Sequence, residues 1–206
     1  AQGFLRADPQ RPSRTASTLV EKTSQPLRVS YLSRRFEDYP GTQMMLRLFA
    51  RHHRSRVLIA AHAHGADDGS TYRAFIRQYA DLFVDISGVS DEMAAARIRA
   101  DNIDILVSYD GMHDFNSVKV LLKTPARIQM AWLGFAATTG FRPGEGIDYC
   151  LADKVIAAPD VLGRHFSEKL VFLPEGYQPQ DEWQGVSACV SELLAYSLRG
   201  ERGLAG

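Results

Sequence analysis

Residues 89–108 read VSDEMAAARIRADNIDILVS, a helical segment that runs directly into a short apolar strand. Ser90 is predicted to cap the helix, with Asp91 and Glu92 in its first turn, where negative charge stabilises the helix dipole. The strand is predicted over residues 104–108. A helix that leads into a buried strand is the repeating unit of a largely parallel sheet, so this stretch indicates an α/β fold.

The same alternation extends in both directions along the chain. Short apolar runs predict further strands at residues 28–33, 57–62, 83–86, 128–133, 149–152 and 170–173. Apolar residues at helical spacing predict helices at residues 42–51, with Thr42 as the cap, at 71–79 and near 118–122. We therefore predict an α/β, Rossmann-like fold with a mostly parallel sheet flanked by helices.

The composition narrows the function classes. The chain has 206 residues, of which 45% are hydrophobic and 23% charged, as in ordinary globular proteins. Its 24 basic residues balance 24 acidic ones, which argues against a nucleic-acid partner. No apolar run approaches the roughly 20 residues of a membrane span. Cys150 and Cys189 lie far apart and outside any CxxC spacing, so we expect neither a zinc ribbon nor a disulfide scaffold. We therefore expect a reduced, cytoplasmic compartment.

Three regions differ in pattern. Residues 1–26 are rich in Arg, Ser, Thr, Gln and Pro without periodicity, and we interpret them as a disordered lead-in or linker. Residues 27–181 carry the strand and helix pattern of one Rossmann-like lobe. Residues 182–206 form a divergent tail with a weak amphipathic pattern that is compatible with a short helix. Because the chain begins with Ala1 and not Met, we interpret it as an excerpt or a processed chain.

Candidate binding residues follow the predicted strands, because ligands bind open parallel sheets outside the carboxyl ends of the strands. In residues 134–140, GFAATTG, small side chains would let backbone N–H groups approach a ligand. Thr138 and Thr139 add hydroxyls suited to phosphate or sugar oxygens, although a tight turn explains the same residues. Asp110 and His113 could act as acid and base, whereas Asp110-Gly111 is equally an ordinary turn signal.

A metal site is the weaker interpretation of the loop after the predicted strand 57–62. His62 and His64 share one face of a strand end, and Asp67 or Asp68 could complete a hydrolase site. The spacing matches no familiar metallohydrolase signature, and we predict no metal. The sequence also lacks GxGxxG, GxxxxGK[ST] and GxSxG, so dinucleotide, NTPase and hydrolase-triad functions lose support and no cofactor is expected.

Several blocks taken in order resemble a known family. They are LRVSYLSRRFEDYP (27–40), DDGSTYR (67–73), VSDEMAAARIRADNIDILV (89–107), TPARIQMAWLGFAATTG (124–140), IDYCLAD (147–153) and FSEKLVFLPEGYQPQD (166–181). Together they resemble the N-terminal half of the catalytic region of the O-GlcNAc transferase family, in its bacterial SPINDLY-like branch.

The resemblance implies a metal-independent, inverting glycosyltransferase that moves a sugar from a UDP-sugar donor to Ser or Thr of a protein acceptor. In that family two Rossmann-like lobes face each other across a cleft, and this chain resembles the N-terminal lobe. The substrate-binding positions that the resemblance implies are Tyr39, Asp110, Gly111, His113, Gly134, Thr138, Thr139 and Gly140.

The departures from the family concern the chemistry. The family carries a His, discussed as catalytic, where this chain has Tyr39, and a phenol, whose pKa is ordinarily about 10, is a poor base at neutral pH. Ser108 stands where the family commonly has an Asp, so the catalytic residues are left unassigned.

The residues after Asp181 do not align with the family's UDP-binding lobe. We therefore expect this chain to be inactive alone. It is either one lobe that a separate chain or lobe completes, or an inactive remnant, and the substitutions at Tyr39 and Ser108 favour the remnant. The alternatives are a non-catalytic binding or interaction module that kept the fold, and, more remotely, a metal-dependent hydrolase.

Overall fold

The computed structural model describes residues 25–112, 117–134, 137–142 and 144–179, and seven parallel strands form one sheet within them. The strands are β1 (Leu27–Ser33), β2 (Val57–Ala63), β3 (Leu82–Asp85), β4 (Ile105–Ser108), β5 (Ile128–Ala131), β6 (Tyr149–Ala152) and β7 (Lys169–Phe172). Their order across the sheet is β3-β2-β1-β4-β5-β6-β7. The predicted α/β, Rossmann-like fold is confirmed.

Short helices connect most of the strands. They are α1 (Pro40–Met45), α2 (Leu48–Arg51), α3 (Thr71–Tyr79), α4 (Asp91–Ala100) and α5 (Val118–Leu121), with a 3₁₀ turn at Gly163–His165. The predicted cap of α4 is confirmed, because the Ser90 hydroxyl accepts a hydrogen bond from the Met93 N–H at 3.3 Å. Asp91 and Glu92 lie in the first turn of α4, as the sequence pattern predicts.

The predicted helix over residues 42–51 is wrong in its start and in its continuity. The chain forms α1 and α2 with a break after Met45, and α1 begins at Pro40. Proline is favoured in the first helical turn because the N–H it lacks would have no intrahelical partner there. Thr42 therefore lies inside α1, where its hydroxyl donates to the Arg35 carbonyl oxygen.

The core consists of two apolar layers, one on each face of the sheet. Successive residues of a strand point to opposite faces, so Leu32 packs in one layer with Ile98 of α4, and Tyr31 packs in the other with Phe49 of α2. Both layers include residues that are completely buried. Strands covered on both faces explain why the sequence shows continuous apolar runs.

Three polar side chains, those of Ser30, His62 and Asp101, are linked by hydrogen bonds within the layer that contains Leu32. The Asp101 carboxylate can only accept, so His62 Nε2–H donates to it at 3.0 Å. The other ring nitrogen, Nδ1, then accepts from the Ser30 hydroxyl at 2.6 Å. Burial, which outweighs the neighbouring Asp101, lowers the pKa of His62, so the native state favours the neutral ring.

This arrangement predicts that acid destabilises the protein below pH 6.5. An unfolded imidazole titrates near pH 6.5, and the native ring titrates lower, so the stability contributed by neutral His62 is complete above pH 6.5 and falls as protons bind the unfolded chain. The urea midpoint should therefore be lower at pH 5.5 than at pH 7.5. His62→Gln, which can donate to Asp101 and accept from Ser30, should reduce that difference.

The matched control is His165→Gln, because His165 is exposed. It should keep the full difference between the two midpoints. An equal difference in His62→Gln and in the unmodified protein would contradict this assignment.

Two further predictions concern regions at the limits of the structure. The lead-in, apart from Gln25 and Pro26, and the tail over 182–206 lie outside the described residues, so these boundaries stay predictions.

Among the described helices, none has the length and apolar character required to cross a bilayer.

Candidate functional site

A cleft lies where the order of the strands reverses. The chain runs outward from β1 to β2 and β3 on one side, and β4 then returns to pair with β1 on the other. Ligands of open parallel sheets bind at such switch points, outside the carboxyl ends of the strands. The loops after β1, β4, β5 and β7 enclose about 350 Å³ here, which is the size of a small-molecule site. The lining residues are Arg35, Tyr39, Pro40, Gly41, Met44, Tyr109, Asp110, Leu133, Gly134, Tyr177 and Gln178.

Asp110 organises the loops at the base of this cleft. Its carboxylate accepts hydrogen bonds from the Ser33 hydroxyl, from the Arg34 N–H at 3.0 and 3.1 Å, and from the Ser117 hydroxyl at 3.0 Å. The residue is 1% exposed. Because its oxygens are engaged by these donors, Asp110 ties the loop after β1 to the segment after β4 and acts as a structural acceptor.

Gly134 allows two backbone segments to touch. A Cβ atom at this position would lie 2.3 Å from both the Gly111 nitrogen and the Tyr109 carbonyl oxygen. The preceding residue, Leu133, has φ of +72°, a strained conformation for a leucine. The turn therefore ends β5 at Ala131, two residues earlier than the sequence predicts, and seats Gly134 against the loop after β4.

Tyr109 is a buried wall of the cleft. Its hydroxyl donates to the Arg35 carbonyl oxygen at 2.9 Å and lies 2.8 Å from the Thr42 hydroxyl. Burial raises the pKa of Tyr109 far above the ordinary value of a phenol. The side chain is therefore a neutral hydrogen-bonding group and cannot serve as a base.

Arg35 and Tyr39 form the side of the cleft next to α1. The Arg35 guanidinium lies 4.8 Å from the centre of the Tyr39 ring and 2.9 Å from the Glu37 carboxylate. Charge on the guanidinium is thus already balanced by Glu37 before any ligand arrives. Among the described lining residues, Arg35 is the one cationic side chain.

Tyr177 and Gln178 close the opposite side of the cleft, and the sequence analysis did not identify them as site residues. The Trp132 indole N–H donates to the Tyr177 carbonyl oxygen at 2.7 Å, and the Tyr177 N–H donates to Asp153 at 2.9 Å. Hydrogen bonds from backbone N–H groups hold the pKa of Asp153 below its ordinary value. The N–H of Ile156 has the largest effect and that of Tyr177 the next largest. These bonds fix the segment after β7 across the cleft.

Thr138 and Thr139, the two threonines in residues 134–140, form hydrogen bonds with Glu168. Thr138 donates its hydroxyl to the Glu168 carboxylate at 2.9 Å, and the Thr139 N–H donates to the same group at 2.6 Å. The Thr139 hydroxyl donates to it as well. Glu168 is 7% exposed, so this buried carboxylate fastens the loop to the start of β7.

The structure brings only part of the predicted site into the cleft. Tyr39, Asp110 and Gly134 line it. Gly111 and Thr139 line a smaller neighbouring cavity, and Thr138 and Gly140 line neither of the two. Ser108 is buried at the end of β4. His113 lies outside the described residues.

His62 and His64 bind different partners. His62 bonds to Ser30 and Asp101, whereas His64 Nδ1 lies 3.2 Å from the Ser117 hydroxyl. Burial lowers the pKa of His64, and the positive charge of the neighbouring Arg34 lowers it by a smaller amount. In the described part of the chain, no three His, Cys, Asp or Glu side chains are grouped so that they could hold a metal ion.

Comparison with known proteins identifies the family of this chain. The family model described as Glycosyl transferase family 41 matches residues 10–194. The chain belongs to glycosyl transferase family 41. The resemblance inferred from the ordered blocks is therefore confirmed.

Individual relatives agree with the family 41 assignment. "Probable UDP-N-acetylglucosamine--peptide N-acetylglucosaminyltransferase SEC" from Arabidopsis thaliana is 33% identical over 155 residues, 75% of this chain and 16% of the relative. The corresponding SPINDLY protein of Oryza sativa subsp. japonica is 36% identical over 104 residues, 49% of this chain and 11% of the relative. This family 41 chain thus spans less than a fifth of either protein.

A solved structure of the Thermobaculum terrenum O-GlcNAc transferase mutant K341M superimposes with a TM-score of 0.74 at 25% identity. The match covers 84% of this chain and 32% of that one. The seven-stranded sheet is therefore the fold of one part of a family 41 glycosyltransferase.

Proposed function

We propose that this chain is the N-terminal lobe of the catalytic region of a protein glycosyltransferase, and that its cleft contacts the sugar of a UDP-sugar donor and the hydroxyl of a protein acceptor. The observation that carries the proposal is the cleft at the switch point, in a chain of family 41. We infer the donor and the acceptor from the relatives, which are named as UDP-N-acetylglucosamine–peptide N-acetylglucosaminyltransferases.

The cleft suits hydroxylated, uncharged groups better than a diphosphate. Tyr39, Tyr109 and Tyr177 line it with aromatic rings, which favour contact with the apolar faces of a sugar. Its cation, Arg35, is paired with Glu37 at 2.9 Å. A departing UDP carries negative charge that must be stabilised by cations or hydrogen-bond donors, often the largest contribution to catalysis. We therefore assign the diphosphate to a second lobe or chain.

The described lining residues also offer no free base. Asp110 is occupied by its donors, and burial raises the pKa of Tyr109. Tyr39 replaces the histidine that the family carries. Because the described lining residues offer aromatic rings for a sugar, but no unpaired cation for a diphosphate and no free base, we expect them to bind without transferring and the 206-residue chain to be inactive alone.

The test combines binding with transfer. UDP-GlcNAc titrated into concentrated protein should give saturable heat, and Tyr39→Ala should weaken binding at least tenfold. Tyr72→Ala is the control, since Tyr72 lies on α3 and does not line the cleft. Mass spectrometry should show no GlcNAc added to an acceptor peptide.

Each part has an outcome that contradicts it. Unchanged affinity in Tyr39→Ala, or no binding to the folded protein at millimolar UDP-GlcNAc, would remove the cleft as the donor site. Transfer of GlcNAc by the chain alone would overturn the assignment of the diphosphate to another lobe.

An interaction module is the second candidate, and the distribution of exposed apolar side chains favours it. Five of the eight large apolar side chains that are exposed in the described residues lie between residues 155 and 172. They are Val155, Val161, Leu162, Val171 and Phe172. These five residues lie near one another along the chain, and exposed apolar patches commonly mark interfaces. Association that rises with protein concentration, with no heat from UDP-GlcNAc, would select this function.

A further inference from the structure

A second surface, unrelated to the cleft, lies in residues 47–56, RLFARHHRSR. This stretch has four arginines and two histidines and no acidic residue. It covers α2 and the connection to β2. In a chain whose formal net charge is zero, this is a local concentration of basic side chains.

Two of these side chains turn inward and anchor the segment. The Arg54 guanidinium donates to the carbonyl oxygens of Phe49 at 2.6 Å and Tyr79 at 2.5 Å, and it lies 3.1 Å from the Asp81 carboxylate. The His52 ring lies 3.0 Å from the Tyr31 hydroxyl. The segment is thereby attached to α3, β1 and the residue before β3.

The backbone between the anchors and β2 is also fixed. The N–H groups of Arg56 and Val57 both donate to the His53 carbonyl oxygen, at 2.8 and 3.0 Å. A turn held in this way loses little conformational freedom when a ligand binds, so preorganisation favours affinity.

Three other side chains of the segment point outward. Arg51, His53 and Arg56 are exposed, and within the described residues their side chains form no hydrogen bond or ion pair. Two guanidinium groups and an imidazole on one rigid turn match the carboxylates of an acidic peptide, since guanidinium binds carboxylate in a two-pronged geometry. We call these three residues the basic turn.

The basic turn lies away from the cleft. It precedes β2 and therefore lies at the amino ends of the strands, whereas the cleft lies at their carboxyl ends. A partner bound to the basic turn would leave the cleft open. The surface is thus a docking site separate from the proposed glycosyltransferase site.

Acidic residues flank the basic turn at the same edge of the sheet. Asp81, whose carboxylate is already paired with Arg54, precedes β3, and Asp104 precedes β4 on the other side of β1. A long polyanion such as nucleic acid, laid along this edge, would meet these carboxylates, whereas a short acidic peptide can stay on the turn. From the fixed turn, its three unpaired donors and the acidic flanks, we infer that the basic turn docks an acidic segment of a partner protein.

The test uses fluorescein-labelled hexaglutamate as the probe and fluorescence anisotropy as the readout. The unmodified chain should bind it saturably in 50 mM NaCl and lose affinity in 300 mM NaCl, because the contacts are ionic. The triple variant Arg51→Gln, His53→Gln, Arg56→Gln should bind at least tenfold more weakly. Hexaglutamine should not bind.

The control triple is Lys154→Gln, Arg164→Gln, His165→Gln, which removes two cations and one imidazole from exposed positions elsewhere. It should bind within twofold of the unmodified chain. If the first triple does not fold, the single reversal Arg56→Glu serves in its place, with the same tenfold expectation.

Three results would overturn the inference. The first is equal weakening of hexaglutamate binding in both triple variants, which would reflect net charge alone. The second is no binding of hexaglutamate to the unmodified chain in 50 mM NaCl. The third is displacement of the probe by hexathymidylate as effectively as by unlabelled hexaglutamate, which would indicate a nucleic-acid surface.

Discussion

Asp110→Ala should destabilise the protein by about 3 kcal/mol, since it leaves several buried donors without an acceptor. The donors are the hydroxyls of Ser33 and Ser117 and the N–H of Arg34. The two hydroxyls cannot turn to water easily, because Ser33 is completely buried and Ser117 is 1% exposed. Asp110→Asn keeps one acceptor oxygen and should lose about half as much. Urea unfolding followed by circular dichroism measures both.

Asp160→Ala is the control for this prediction. Asp160 is exposed, so its removal should change the free energy of unfolding by less than about 0.5 kcal/mol. If Asp110→Ala were as stable as Asp160→Ala, the carboxylate would not organise the loops around the cleft.

Gly134→Ala is expected to be equally severe, for a steric reason. The new Cβ would meet backbone atoms of Gly111 and Tyr109 at 2.3 Å, and neither can move without displacing the loop after β4. Overpacking against backbone should cost about 3 kcal/mol and distort the cleft, because Gly134 lines it. Thermal unfolding and UDP-GlcNAc binding should both be impaired.

Gly41→Ala provides a control within the same cleft. Its Cβ would lie 3.4 Å from the Tyr39 ring, an ordinary contact with a side chain, and Gly41 lies in α1. Alanine should therefore be neutral or stabilise α1 by up to about 1 kcal/mol. Equal unfolding temperatures for Gly41→Ala and Gly134→Ala would contradict the close approach described at Gly134.

The strands and one helix boundary were predictable because their causes are local. Apolar runs such as residues 57–62 identify strands buried on both faces, and Ser90 with two following acids identifies the start of α4. The break after Met45 was not predictable from periodicity, because Met45 and Phe49 share an apolar spacing whether or not the helix continues.

The candidate site was predictable only as a set of loops. Parallel topology brings Tyr39, Asp110 and Gly134 to one edge of the sheet, as the sequence pattern predicts. The partners of those residues depend on tertiary contacts: Ser33 and Asp110 are 77 residues apart, and Thr138 and Glu168 are 30 apart. No local pattern reveals that the hydroxyls of Thr138 and Thr139 bind a carboxylate of the protein.

The most direct test of the central proposal is saturation-transfer NMR on UDP-GlcNAc in the presence of the unmodified chain. A cleft that contacts the sugar, with the diphosphate left for another lobe, should transfer most saturation to the GlcNAc protons and least to the uracil protons, and Tyr39→Ala should abolish the transfer. Strongest saturation of the uracil protons, or equal transfer in Tyr39→Ala, would contradict the account.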